Sequence, residues 1–229
     1  MKAVIIFYAL VFLTSCKDNS TLEPVKPIEK KDQIMPLTVG NRWVYATTYS
    51  YGQGDTIIWE VLSKTDVDIG GGKITAYGMN YYLKGSAQPD YQWLFSNKSD
   101  GLYVLGGLTK TDTLITMYLK LKYPSVENDS YQVIGLRYSR SNEIFYIKDT
   151  LMFSLVSTSD TLETPAGKFT GCYVYNYRIK QADDVSGFDD FHDYFVPGVG
   201  LVGTIVRTVV RNKSGGITYK LLLSSYSIK

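Results

Sequence analysis

The sequence predicts an all-β protein, with antiparallel strands forming a strongly curved open sheet or half-barrel, or else a sandwich. Three observations carry the prediction. The 229 residues include 20 Tyr, 9 Phe and 3 Trp, and aromatic side chains suit the half-buried surface of a pleated sheet. Apolar residues recur with a period of two in stretch after stretch, and no segment shows a convincing period of 3.6. Clusters of Gly, Asp, Asn and Ser interrupt these stretches at short intervals, as turns between strands do.

The domain opens at Pro36-Leu-Thr-Val-Gly-Asn-Arg-Trp-Val-Tyr45, where Gly40-Asn41 makes a turn. From Arg42 the chain alternates, with Trp43, Tyr45, Thr47 and Tyr49 on one side and Val44, Ala46 and Thr48 on the other. Gly52 and Gly54-Asp55 close this strand, and residues 57–62 form the next. A turn at residues 68–72 leads to a strand over 74–83, and a break at 85–90 leads to one over 91–95. Strands follow at 102–105, 114–121, 131–138 and 144–156. Thr164-Pro-Ala-Gly-Lys-Phe169 turns the chain into the strand that holds Cys172. Residues 181–190 read as an acidic loop, and Pro197-Gly-Val-Gly200 as a tight turn. Two last strands, 203–211 and 217–228, flank Asn212-Lys-Ser-Gly-Gly216, a good hairpin signal. One faint internal echo is present: Trp43 stands seven residues after Pro36, and Tyr131 seven after Pro124.

Upstream of the domain, Lys2 precedes an unbroken apolar run of 11 residues, Ala3 to Leu13. As a helix it would span about 17 Å, well short of a bilayer's hydrocarbon core, so it reads as the apolar region of a signal peptide. Leu13-Thr-Ser-Cys16 resembles the bacterial lipobox, in which the cysteine takes a diacylglycerol through a thioether and becomes the first mature residue. The alternative is an ordinary secretory signal. Lipobox families then usually acylate the freed amine, and two or more chains hold a protein stably on a membrane where one does not. Lys17 follows the cysteine where an Asp would be an inner-membrane retention cue, which leans towards the outer membrane, facing either the periplasm or the surface. Residues 17–35 are polar, charged and broken by Pro24 and Pro27, as a disordered tether would be. The expected organisation is a signal peptide over 1–15, a tether over 16–35 beginning at lipidated Cys16, and one β-rich domain over 36–229.

Cleavage before Cys16 removes 15 of the 229 residues and leaves 214, enough for one sizeable core. It also removes Lys2, so 23 of the 24 basic residues face 22 acidic ones. That balance argues against a nucleic-acid partner. With Cys16 committed to lipid, Cys172 has no partner for an internal disulfide and reads as a buried structural thiol.

Three pieces together carry a resemblance: Pro36 to Tyr45, Thr164 to Phe169 with Cys172 behind it, and Tyr194-Phe-Val-Pro-Gly-Val-Gly-Leu-Val202. In order over residues 36–229, they resemble a group of Bacteroidota-type envelope lipoproteins of unknown function, whose domain is similar to the LolA/LolB-like lipoprotein-carrier half-barrels. The resemblance implies a fold and no catalytic residue. Gly167, Gly198 and Gly200 fit its tight turns.

Little catalytic chemistry is legible. The one histidine, His192, would have to be the base of any nucleophilic mechanism, and no serine lies in a Gly-x-Ser-x-Gly motif. Neither a catalytic residue nor a cofactor is expected. Residues 183–193 hold five carboxylates in 11 positions, and Asp183, Asp184, Asp189 and Asp190 around Gly187 are a candidate calcium site. Tyr45, Tyr49, Tyr81 and Trp93 are candidate ligand-binding aromatics, suited to stacking on a sugar or to lining an apolar cavity. The expected function is that of a lipid-anchored, non-enzymatic envelope protein with a binding or structural role. The alternatives are a carrier of a lipid-like ligand in an apolar cavity, a glycan-binding surface lipoprotein and, with least support, a hydrolase.

Overall fold

The computed structural model describes residues 32–87, 91–109, 113–136, 148–180, 187–210 and 216–229. Twelve antiparallel strands form a single sheet: β1 (Arg42–Tyr49), β2 (Gly52–Asp68), β3 (Lys73–Leu83), β4 (Tyr91–Lys98), β5 (Gly101–Thr109), β6 (Thr113–Lys122), β7 (Ser130–Leu136), β8 (Lys148–Thr164), β9 (Gly167–Lys180), β10 (Gly187–Val196), β11 (Gly200–Val210) and β12 (Ile217–Ser227). No helix is present among the described residues.

The spatial order is β6-β5-β4-β3-β2-β1-β12-β11-β10-β9-β8-β7. This is an up-and-down meander of two six-stranded halves, fused where β1 pairs with β12. The sheet curls until β6 and β7 lie beside each other, so it is a nearly closed barrel and not a sandwich. Register shifts in most ladders supply the curl, because a bulged strand bends and twists more than a regular one. Trp43 is the second residue of β1 and Tyr131 the second of β7, the opening strands of the two halves.

The seam between β6 and β7 carries no backbone ladder among the described residues. At its foot, side chains take the ladder's place around Lys122. Its N–H donates to the Tyr131 hydroxyl at 3.1 Å and its carbonyl accepts from the Tyr175 hydroxyl at 2.7 Å. Its ammonium pairs with Asp129 at 2.6 Å, and this contact, with the Ser125 hydroxyl, holds the Asp129 carboxylate below its ordinary range.

One pole of the barrel is closed by residues that precede the expected start of the domain. Ile34 and Met35 are 1% and 2% exposed, and the Gln33 carbonyl accepts from the Gly198 N–H. The packed unit therefore begins before Pro36, because residues 33–37 plug a barrel end that would otherwise stand open. The three sequence pieces behind the resemblance contribute to this plug and the core above it. The Trp43 indole donates to the Val199 carbonyl at 2.7 Å and the Tyr45 hydroxyl to the Leu201 carbonyl at 2.9 Å. The Ala166 N–H donates to the Leu223 carbonyl. Gly200 has φ +99°, and a β-carbon there would press on the Met35 sulfur and the Trp43 indole, so the turn needs glycine on two counts.

The main core fills the barrel from this pole. A second small cluster of Val67, Ala76, Leu94 and Leu105 lies on the other face of β2 to β5.

Candidate functional site

Above the plug the barrel is not full. Two cavities of about 260 Å³ each lie inside it. The lower one rests on Met35 and Leu201 and rises past Asp193, Thr204 and Phe191 to Tyr219. The upper one is bounded by Tyr81, Trp93, Val104 and Tyr118. Trp59, Met79, Phe95 and Lys120 line both, so the two adjoin along one side.

Strand register explains this lining. Side chains two apart on a strand share a face, and directly paired residues share it across a ladder. Val61 pairs with Met79, Trp59 with Tyr81 and Met79 with Trp93, which carries one inner face across β2, β3 and β4. On the far side, Tyr131 pairs with Phe153, Phe153 with Tyr177 and Tyr177 with Phe191. Their rings stack across four strands, with centroids 5.8, 4.4 and 4.8 Å apart and interplanar angles of 25°, 18° and 7°. Lys120 reaches over this stack from the opposite half of the barrel. Its ammonium sits 5.3 Å from the Phe153 ring centroid and 5.5 Å from that of Tyr177, within cation–π range.

One row below the stack is Asp193, 7% exposed, paired across the ladders with Tyr175 and Thr204. It accepts a hydrogen bond from the Thr204 hydroxyl at 2.7 Å and another from the Tyr177 hydroxyl. Burial pushes its pKa up, against the opposing pull of Lys120, Thr204 and Tyr177. Burial likewise pulls the Lys120 pKa down, and the Asp193 charge partly restores it. The lower cavity thus contains one cation and one anion. Among the described residues, Lys120 is the only ionised one lining the upper cavity.

The candidate aromatics separate. Tyr81 and Trp93 meet in the upper cavity. Tyr45 is not a solvent-facing ring: it is 0% exposed, edge-on to Trp59, and its hydroxyl is fixed in the plug-side core. Tyr49 belongs to a ladder at the opposite pole. Tyr51, 84% exposed, stacks on Tyr49 at 5.1 Å, and Tyr49 tilts against Tyr219 at 5.3 Å. Tyr219 in turn lines the lower cavity, so aromatic surface runs continuously from solvent to the barrel interior.

The acidic cluster is divided. Asp183 and Asp184 lie outside the described residues. Gly187 to Asp190 belong to β10 and not to a loop, so Asp189 and Asp190 project to opposite faces. Asp189 accepts from the Thr208 hydroxyl, and Asp190 from Asn176 and Arg178. Among the described residues no group of three or more metal-ligating side chains gathers. His192 sits on the face away from Asp193, next to Asn176. Cys16 also lies outside the described residues, and Cys172 is a free, fully buried thiol whose pKa burial pushes up to about 11.

Sequence reading passed over Lys120 and saw Asp193 only as one of a cluster. A signal was available for both. Lys120 is the only charge in Leu114-Ile-Thr-Met-Tyr-Leu-Lys-Leu121, and Asp193 alternates with Phe191 and Phe195 on an apolar face.

No protein-family profile and no curated protein matches the chain. Two solved structures are similar to it. A candidate exported protein with a YmcC-like fold from Bacteroides fragilis aligns with a TM-score of 0.48 and 12% identity, over 84% of this chain and 98% of that one. A candidate lipoprotein from Parabacteroides distasonis aligns with a TM-score of 0.47 and 14% identity, over 86% of this chain and 99% of that one.

Proposed function

We propose that this chain is a lipid-anchored protein of the bacterial cell envelope that binds, and does not chemically transform, a small apolar ligand inside its β-barrel. The single observation that carries the binding reading is the interior space: two aromatic-lined cavities of about 260 Å³ share one wall, and an aromatic ladder connects them to solvent. Binding pockets have this character, apolar walls with a few placed polar groups. At ~30 Å³ for each water-sized group, one cavity takes roughly nine of them. The envelope anchor rests on the order of Lys2, the apolar run and Leu13-Thr-Ser-Cys16. The outer membrane is the proposed destination, because Lys17 stands where a retention signal would place Asp.

Two measurements test this. Native mass spectrometry of protein taken from its host in mild detergent should show a retained mass of small-molecule size; protein that stays empty through exposure to a panel of medium-chain amphiphiles refutes the interior-binding reading. Detergent partitioning of Cys16→Ser should move the protein out of the membrane phase, and a variant that stays there refutes the anchor.

A further inference from the structure

The two cavities differ in charge, and the difference specifies a ligand class for the binding reading above, on which this inference rests. Among the described residues, Lys120 is the only ionised side chain lining the upper cavity; its other polar neighbours there, Asn80, Tyr81, Trp93 and Tyr118, are uncharged. A half-buried ammonium on an apolar wall attracts an anion more strongly than a surface lysine does, because water screens it less. The lower cavity, which Lys120 also lines, adds an anion. Asp193 is there, with Thr204 and Tyr177 as its own hydrogen-bond donors, and it repels a second carboxylate. The shared wall of Trp59, Met79 and Phe95 is apolar and runs from one cavity to the other.

We infer that the barrel binds a medium-chain carboxylate head-up: the carboxylate lies on Lys120 in the upper cavity, and the hydrocarbon runs past Trp59, Met79 and Phe95 into the lower one. Asp193 fixes that polarity, since the reverse orientation would place two carboxylates together in a low-dielectric space. The size follows from the volumes. The lower cavity, at ~30 Å³ for each water-sized group, takes roughly nine of them, so a chain of about eight to ten carbons fills it while the carboxylate stands in the upper one.

The test uses the full-length chain, processed in a bacterial envelope and reconstituted in lipid nanodiscs, with tryptophan emission as the readout. Trp59 lines both cavities, so bromine carried on the chain into the lower one quenches it. The probes are 8-bromooctanoate and 8-bromooctanol, which share a chain and differ in the head. The expected result is saturable quenching by the acid at a concentration at least 10-fold lower than by the alcohol. Lys120→Met should bring the acid to the level of the alcohol, while Lys120→Arg keeps the preference. Equal quenching of wild-type protein by acid and alcohol overturns the carboxylate assignment and leaves interior binding standing. Quenching by neither overturns both. The wild-type comparison decides the matter even if Lys120→Met does not fold.

Discussion

Replacing Lys120 with methionine should destabilise the protein in a way that depends on pH. The substitution keeps the length and apolar body of the side chain but removes the positive charge whose pull favours the ionised form of the Asp193 carboxylate, 7% exposed. Breaking a buried ion pair on one side costs about 3–5 kcal/mol. Lys120 acts on Asp193 through space and is itself half buried, and the Thr204 and Tyr177 hydrogen bonds to Asp193 survive, so the loss stays at or below the low end, about 3 kcal/mol. For a domain of this size that is a fall of roughly 6–12 °C in Tm. The sign of the pH effect follows from Asp193. Its folded pKa is raised above 3.8, so its contribution favours folding below that value and is lost as pH rises through the folded pKa. Lys120 is one of the groups that hold the value down, so Lys120→Met raises it further and extends the loss upward in pH. The gap in Tm between wild type and variant should therefore be small near pH 4 and widest near pH 7. Lys120→Met/Asp193→Asn, which removes both charges, should recover to within ~1 kcal/mol of wild type, since replacing a buried pair by neutral groups is often near neutral. Differential scanning calorimetry at the two pH values reads all of this. An equal fall in Tm at both, or a double variant as unstable as the two single losses added together, would refute the charge pairing.

Three further outcomes are expected. Tyr175→Phe removes the donor to the Lys122 carbonyl and should cost ~1 kcal/mol, with faster amide hydrogen exchange confined to the foot of the β6–β7 seam; unchanged exchange there would show that the hydroxyl does not hold the seam. Cys172 should ignore Ellman's reagent at pH 8 in the folded protein and react fully in denaturant, because a thiol with a pKa of about 11 and no exposure is about 0.1% thiolate and out of reach; rapid native-state labelling would contradict its burial. Gly101→Ala should unfold or strongly destabilise the domain, because φ there is +150° and the new methyl would meet the Leu121 carbonyl of the neighbouring strand; a fall in Tm under ~3 °C would show that the β5–β6 pairing yields at that point.

How much of this was legible depended on whether local pattern and tertiary role agreed. β1 was read at its observed bounds because its alternation runs clean for eight residues between two turns. The glycines of the tight turns were legible for the same reason, with φ of +132° at Gly167, +80° at Gly198 and +99° at Gly200. For β2 the alternation shows only residues 57–62 of a strand that spans Gly52–Asp68, since a bulge between Val61 and Ser63 flips its phase. The start of β10 read as loop because its acids look solvated, whereas Thr208, Asn176 and Arg178 on flanking strands satisfy them. Tyr45 and Tyr81 could not be told apart, because period two says that two faces exist and not which one is inside. Lys120 on β6 and Asp193 on β10 line one cavity and act on each other through space, and no local spacing encodes a proximity that closure of the sheet creates.

That closure also accounts for the tyrosines. A barrel of about eight strands has an interior that ordinary side chains fill, and much larger barrels enclose a channel. Twelve strands fall between these limits, so leucine and valine alone would leave the centre empty. This chain meets the excess in two ways. Residues 33–37 fold under one pole, bringing Ile34, Met35 and Leu37 inside, and large rings line the wall above them, from Trp43 and Tyr45 to the four-ring stack that ends at Phe191. Tyrosine serves at this depth because its hydroxyl can satisfy a backbone carbonyl on another strand while its ring packs, as Tyr45 does with Leu201 and Tyr175 with Lys122. The filling stops short of completion at the level of Lys120, where a charged side chain from one half crosses to the aromatic wall of the other. A barrel needing only stability would put an apolar residue at that position, since burying an ammonium costs more than burying a leucine. The cavity and the cation therefore ask for one explanation between them, and a ligand that brings both hydrocarbon and negative charge supplies it.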